Sequence, residues 1–139
     1  MEYRLSEIAE MVGGTLNGAD NTVTGMEKDS RIVKEGDLFV ALAGEKFDAH
    51  DFLTQVAEKG AKGAIVSRLT DAPIPQILTD DTRLALGRLA AAHCKRFDIP
   101  KVAVTGSTGK TTTRDMTAAV LSAHFKNVLK TQGDRKSVV

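Results

Sequence analysis

The segment Thr105-Gly106-Ser107-Thr108-Gly109-Lys110-Thr111-Thr112-Thr113 holds the most concentrated chemistry in the chain. Glycines at 106 and 109 let a backbone turn tightly and bring its N–H groups against an anion. A lysine directly before hydroxyl residues at a helix start adds a full positive charge to the partial one carried by the helix N-terminus. Together they read as a phosphate cradle: the backbone of Gly106, Ser107, Thr108 and Gly109 wraps the phosphates and that of Thr112 continues into the helix. Lys110 neutralises the β- and γ-phosphates, and the Thr111 hydroxyl ligates Mg²⁺. The usual eight-residue spacing needs glycine at 104, where this chain has Val104, so the match is to a shorter G-x-x-G-K-T form. The dinucleotide fingerprint G-x-G-x-x-G is absent from this turn. The plain alternative is a strand-to-helix turn with an exposed lysine.

Such a loop needs a strand before it and a helix after it. Val102-Ala103-Val104 supplies the expected strand, and Met116, Ala119, Val120 and Ala123 form one apolar helix face. Asn127 to Thr131 reads as a further strand, which would complete one βαβ unit. Upstream, Leu5, Ile8, Met11 and Val12 recur at helical spacing after Ser6, and Gly13-Gly14 ends the segment. A polar, turn-rich stretch follows from Asn17 to Lys28. Leu38 to Leu42, Ala64 to Val66 and Gln76 to Leu78 are short apolar runs, read as strands buried on both faces. Between the first two, Phe52, Leu53, Val56 and Ala57 mark a helix ending near Gly60. Asp80-Asp81 opens a long helix carrying Leu84, Leu86, Leu89, Ala90, Ala92 and Phe97. Alternating strands and helices define an α/β fold. The expected organisation is one domain over residues 1–80 and the start of a second over 81–139.

The chain has 139 residues, 42% hydrophobic and 27% charged, which excludes a disordered polyelectrolyte. A formal charge of +1 gives no bulk attraction to nucleic acid or anionic membranes, and 4% aromatics without tryptophan supply few stacking platforms. Nucleic acid is therefore not an expected partner. One cysteine, Cys94, rules out an internal disulfide. With no apolar amino-terminal run and no stretch near the ~20 residues of a membrane span, membrane insertion is not expected and the cytoplasm is the expected compartment.

Several runs taken in order resemble the Mur ligases. They are Asp29-Ser30-Arg31, Gly36 to Leu42, Gly44 to Phe52, Asp81-Thr82-Arg83-Leu84-Ala85-Leu86 and the lysine loop, within a resemblance running from about Leu5 to Gly133. The resemblance implies a small amino-terminal α/β domain binding a UDP-linked sugar peptide, followed by the opening βαβ unit of a P-loop-type central ATPase domain. It implies ATP and Mg²⁺ as cofactors, and UDP-N-acetylmuramoyl-tripeptide and D-alanyl-D-alanine as partners. It also implies that ATP phosphorylates a carboxylate, whose acyl phosphate is attacked by an amine, with Lys110 as the catalytic residue. By the same resemblance Ser30 and Arg31 fall where the uridine diphosphate is held. A guanidinium fork suits phosphate oxygens, while Asp29-Ser30-Arg31 reads equally well as a hydrogen-bonded turn with a solvated arginine.

Other polar groups have structural readings. Asp48-Ala49-His50-Asp51 is read as a helix cap with a partnered imidazole, Ala49 standing where the family has glycine. Asp80-Asp81 is read as a cap in preference to a Mg²⁺ site, and His93 and Cys94 as packing residues. After Thr131-Gln132-Gly133 the family continues with an asparagine-rich segment, whereas this chain reads Asp134-Arg135-Lys136-Ser137-Val138-Val139. The expectations are therefore that the chain alone is inactive and that an uncovered apolar face beyond about Lys101 favours self-association. Two other classes compete: a non-catalytic nucleotide-sugar or phosphate-binding module, and a small independent P-loop NTPase.

Overall fold

The computed structural model of the chain describes residues 2–43 and 48–131. They fall into two compact units, one up to Phe97 and one from Asp98 onward.

In the first unit Tyr3–Arg4 (β1) runs into the helix Leu5–Val12 (α1), whose Leu5, Ile8 and Val12 are buried along one face as their spacing requires. Gly13 ends α1 at φ +69°, a left-handed conformation that costs glycine little. The strands that follow are Thr15–Asn17 (β2), Thr22–Val23 (β3), Gly25–Glu27 (β4), Asp37–Val40 (β5), Gly63–Val66 (β6) and Gln76–Leu78 (β7). A five-stranded sheet has the order β2-β7-β6-β5-β4, parallel except for β2, which pairs antiparallel at one edge. The strands β1 and β3 form a separate antiparallel ladder.

Between β5 and β6 lie a 3₁₀ turn, Ala49–Phe52, and the helix Leu53–Glu58 (α2); after β7 comes Thr82–Lys95 (α3). Side chains alternate across the sheet, so Leu38, Val40, Ile65 and Ile77 meet α1 and α3, while Phe39, Ala41, Ala64 and Val66 meet α2. Both faces are covered, which explains why β5 and β6 read as unbroken apolar runs. The sequence expectation of a mixed α/β layer holds, as do the three apolar strands and the helices at 5–12, 53–58 and 82–95.

Three expectations are corrected. The stretch from Asn17 to Lys28 is not all turn: it contains β3 and β4, whose polar residues pair only because neighbouring strands present partners. The first compact unit runs on to Phe97, because α3 buries Ala85 and Leu89 in the core it shares with α1. In the second unit Lys110–His124 (α4) is helical as expected, but 102–104 and 127–131 form no strand. A lone parallel pair has no sheet to extend and little apolar cover, so pairing does not repay its ordering. Val102 and Leu129 remain 69% and 99% exposed. Cys94 is exposed rather than packed. No helix among the described residues is long and apolar enough to cross a membrane.

Candidate functional site

The lysine loop lies in the second unit. Gly109 takes φ +75° at the position before α4, so a residue with a side chain there would be strained, and Gly106 at φ +154° turns the chain into the loop. The first N–H groups of α4 have no partner within the helix, which leaves them for an anion. Lys110 is the first residue of α4, and its Nζ folds back to donate to the Gly106 carbonyl at 2.5 Å. It is held by a neutral carbonyl and not by an acid, so a phosphate can take its place without breaking an ion pair. A cavity of about 240 Å³ is lined by Ser107, Thr108, Gly109, Lys110, Thr111 and Thr112. Asp115, one turn further along α4, is engaged by Arg114 and by Lys130 at 3.1 Å, and the Arg114 hydrogen bonds hold its carboxyl below the ordinary range.

In the first unit Ser30 and Arg31 follow β4 together. Ser30 is buried and its carbonyl accepts from Lys59 Nζ at 2.7 Å. Arg31 is 85% exposed and grips Asp29 with both Nε (2.9 Å) and Nη2 (2.6 Å). The Arg31 hydrogen bonds hold the Asp29 carboxyl well below the ordinary range. This is the hydrogen-bonded turn that the sequence equally allowed; an incoming phosphate would compete with Asp29 for the fork. Ser30 and Arg31 belong to the first unit, and Gly106 through Thr112 to the second.

Sequence reasoning missed a cavity of about 320 Å³ lined by Leu42, Ala43, Ser67, Asp80, Asp81, Thr82 and Arg83. Those residues follow the carboxyl ends of β5, β6 and β7, the side of a parallel sheet on which ligands settle. Their position just beyond three apolar runs was the available signal. Asp81 acts as the expected cap, accepting from Arg83 N at 2.8 Å and Leu84 N at 3.0 Å. Asp48 likewise caps the 3₁₀ turn by accepting from His50 N. Among the described residues no group of three or more His, Cys, Asp or Glu is placed to hold a metal, so a cation at the lysine loop would rely on the Thr111 hydroxyl, phosphate oxygens and water.

The His50 backbone N–H, then Arg68, hold the Asp48 carboxyl well below the ordinary range. A carboxylate whose folded pKa is depressed adds stability above its unfolded pKa of about 3.9, and that stability is lost as pH falls. The expected outcome is a thermal midpoint that drops below about pH 4 less steeply in Asp48→Asn than in the unsubstituted chain, read by circular dichroism. Parallel curves would contradict the assignment.

A largely parallel α/β unit with an open carboxyl edge stands in one chain with a lysine-bearing glycine loop at a helix start, and the chain belongs to the Mur ligase family. The model described as "Mur ligase family, catalytic domain" matches residues 22–94. The particular relatives carry the names of two kinds of ligase, one joining D-alanyl-D-alanine and the other 2,6-diaminopimelate. The UDP-N-acetylmuramoyl-tripeptide--D-alanyl-D-alanine ligase of Escherichia coli (strain K12) is 46% identical over 130 residues, covering 94% of this chain and 28% of that protein. The crystal structure of MurF from Acinetobacter baumannii matches with a TM-score of 0.82 at 39% identity, over 89% of this chain and 28% of that one. MurF ligase from Thermotoga maritima, solved in complex with ADP, matches with a TM-score of 0.74 at 35% identity, over 81% and 26% respectively. The chain thus spans under a third of the length of these relatives and resembles their amino-terminal part.

Proposed function

We propose that this chain carries the nucleotide-sugar unit and the phosphate loop of an ATP-dependent, cytoplasmic ligase of peptidoglycan precursor synthesis, which joins D-alanyl-D-alanine to UDP-N-acetylmuramoyl-tripeptide. The observation that carries the reading is the loop at 106–112. Its glycine-permitted bend, the N–H groups at the start of α4 and the Lys110 ammonium all border one cavity in a chain 46% identical to an enzyme of that name. ATP bound there would supply the phosphoryl group that turns the tripeptide carboxylate into an acyl phosphate, a species the dipeptide amine can attack. Lys110 exchanges its bond to Gly106 for the β- and γ-phosphate oxygens and offsets the charge that develops on them. The backbone of Gly106, Ser107, Thr108, Gly109 and Thr112 orients the phosphates, and the Thr111 hydroxyl fits a Mg²⁺ ligand. In the first unit Ser30 and Arg31 contact the uridine diphosphate, Arg31 turning its fork from Asp29 to a phosphate.

Binding belongs to this chain and turnover to the longer protein. Separate calorimetric titrations with UDP-N-acetylmuramoyl-tripeptide and Mg-ATP test this. Both ligands bind the unsubstituted chain, and Arg31→Ala weakens the UDP compound by about tenfold, the size of one charged hydrogen bond, while leaving ATP unchanged. UDP-compound binding that ignores Arg31→Ala removes Arg31 from the site, and failure to bind Mg-ATP removes the cradle. The exposed Val102, Met116, Val120 and Leu129 support self-association of the second unit. Light scattering that finds a monomer at every concentration would refute that part.

A further inference from the structure

His50 is buried, and the ligase chemistry above does not use it. Its two ring nitrogens have assigned roles. Nδ1 lies 2.5 Å from Asp48 Oδ1, an acceptor only, so Nδ1 carries the proton. Nε2 accepts the backbone N–H of Ser67 at 3.0 Å and therefore carries none. Ser67 Oγ lies 3.3 Å from the same Nε2. Asp48 is steadied in turn by Arg68 Nη2 at 3.0 Å. This chain of contacts fixes Ser67, the residue that follows β6, and that residue forms part of the wall of the 320 Å³ cavity.

The same wall carries Asp80 and Arg83, whose side chains form no hydrogen bond or ion pair among the described residues. Asp81 beside them is occupied as a cap. A carboxylate accepts from adjacent ring hydroxyls, a guanidinium pairs with a phosphate oxygen, and Leu42 and Ala43 offer an apolar wall to a ring face. We propose that Ser67 is a ligand-contacting hydroxyl of this cavity and that Asp48 and His50 are its positioning pair, the ligand being the sugar ring and adjoining phosphate of a nucleotide sugar. The inference rests on the nucleotide-sugar reading of the first unit. With Nε2 committed to the Ser67 N–H, the histidine holds the Ser67 backbone in place and leaves its hydroxyl available to the ligand.

Calorimetric titration of UDP-N-acetylmuramoyl-tripeptide into the 139-residue chain and into Ser67→Ala, His50→Gln and the double variant tests it. Ser67→Ala keeps the backbone contact to His50, so affinity falls about tenfold with no change in thermal midpoint. His50→Gln weakens binding to a similar degree, and the double variant is no weaker than the worse single one, because His50 acts through Ser67. Ser67→Ala binding within about twofold of the unsubstituted chain overturns the proposal, as do independent, multiplying effects. If His50→Gln does not fold, Ser67→Ala alone decides. An unsubstituted chain that fails to bind overturns the nucleotide-sugar reading itself, an outcome distinct from binding that ignores Ser67.

Discussion

Lys110→Ala will abolish Mg-ATP binding by this chain, weakening it about a hundredfold or more, without lowering the thermal midpoint. The structure separates the two effects. Lys110 is exposed, and its one recorded hydrogen bond is to the Gly106 carbonyl four residues earlier, so its loss removes no packing. What it removes is the full charge in a cavity otherwise built from backbone N–H groups and hydroxyls. A single preorganised donor aimed at charge developing in a transition state is worth about 10²–10³ in rate. Placed in the Escherichia coli relative in exchange for the matching segment, residues 2–131 should therefore support ligation, and the same segment carrying Lys110→Ala should lose it by at least that factor. Arginine is not an equivalent replacement, because its planar fork needs a different approach to the phosphates than a point ammonium does. Retained ATP affinity in Lys110→Ala would move the nucleotide away from the loop and leave the bend at Gly109 as a plain helix start.

What could be read from the sequence divides along a physical line. The strands β5 and β6 were legible because both their faces are buried, which demands an unbroken apolar run in the chain itself. The helix α3 was legible because its cap, Asp81, is a local device. In contrast β3 and β4 are two and three residues long and depend on partners elsewhere in the sequence, so Thr22, Gly25 and Glu27 carry no strand signal of their own. The reverse holds at Val102 to Val104 and at Asn127 to Thr131, where the pattern suits a strand but nothing among the described residues pairs with it.

The candidate site divides in the same way. A lysine loop is written in consecutive residues, since the glycine requirement and the helix start are both local. The cavity at Ser67, Asp80 and Arg83 is gathered from the ends of three strands, and no spacing rule links those positions before the sheet order is known. Arg31 was ambiguous for a chemical reason: the fork that suits a phosphate suits Asp29 equally well, and it grips the aspartate in this structure.

The largest effect on stability is expected at Gly14. This residue joins α1 to β2, its N–H closing the helix by donating to the Ala9 carbonyl at 2.8 Å. The next residue, Thr15, pairs with Leu78 of β7. A Cβ built at Gly14 would sit 2.7 Å from the Leu78 carbonyl oxygen, 2.7 Å from Thr79 Cγ2 and 2.9 Å from Ile77 Cγ2. The carbonyl belongs to β7, beside the centre of the sheet, and cannot move without breaking the ladder on one side or the other. Gly14→Ala therefore costs about 3 kcal/mol, at the upper end for overpacking, and lowers the thermal midpoint by about 15 °C. Gly87→Ala is the matched control. It lies within α3 with nothing inside 4 Å of its added Cβ, so it removes backbone freedom from the unfolded chain and should stabilise by about 0.5–1 kcal/mol. Two glycine-to-alanine changes of opposite sign test the packing of α1 and β2 against β7 directly. If Gly14→Ala melts with the unsubstituted chain, the edge strand β2 is not seated on β7 as described.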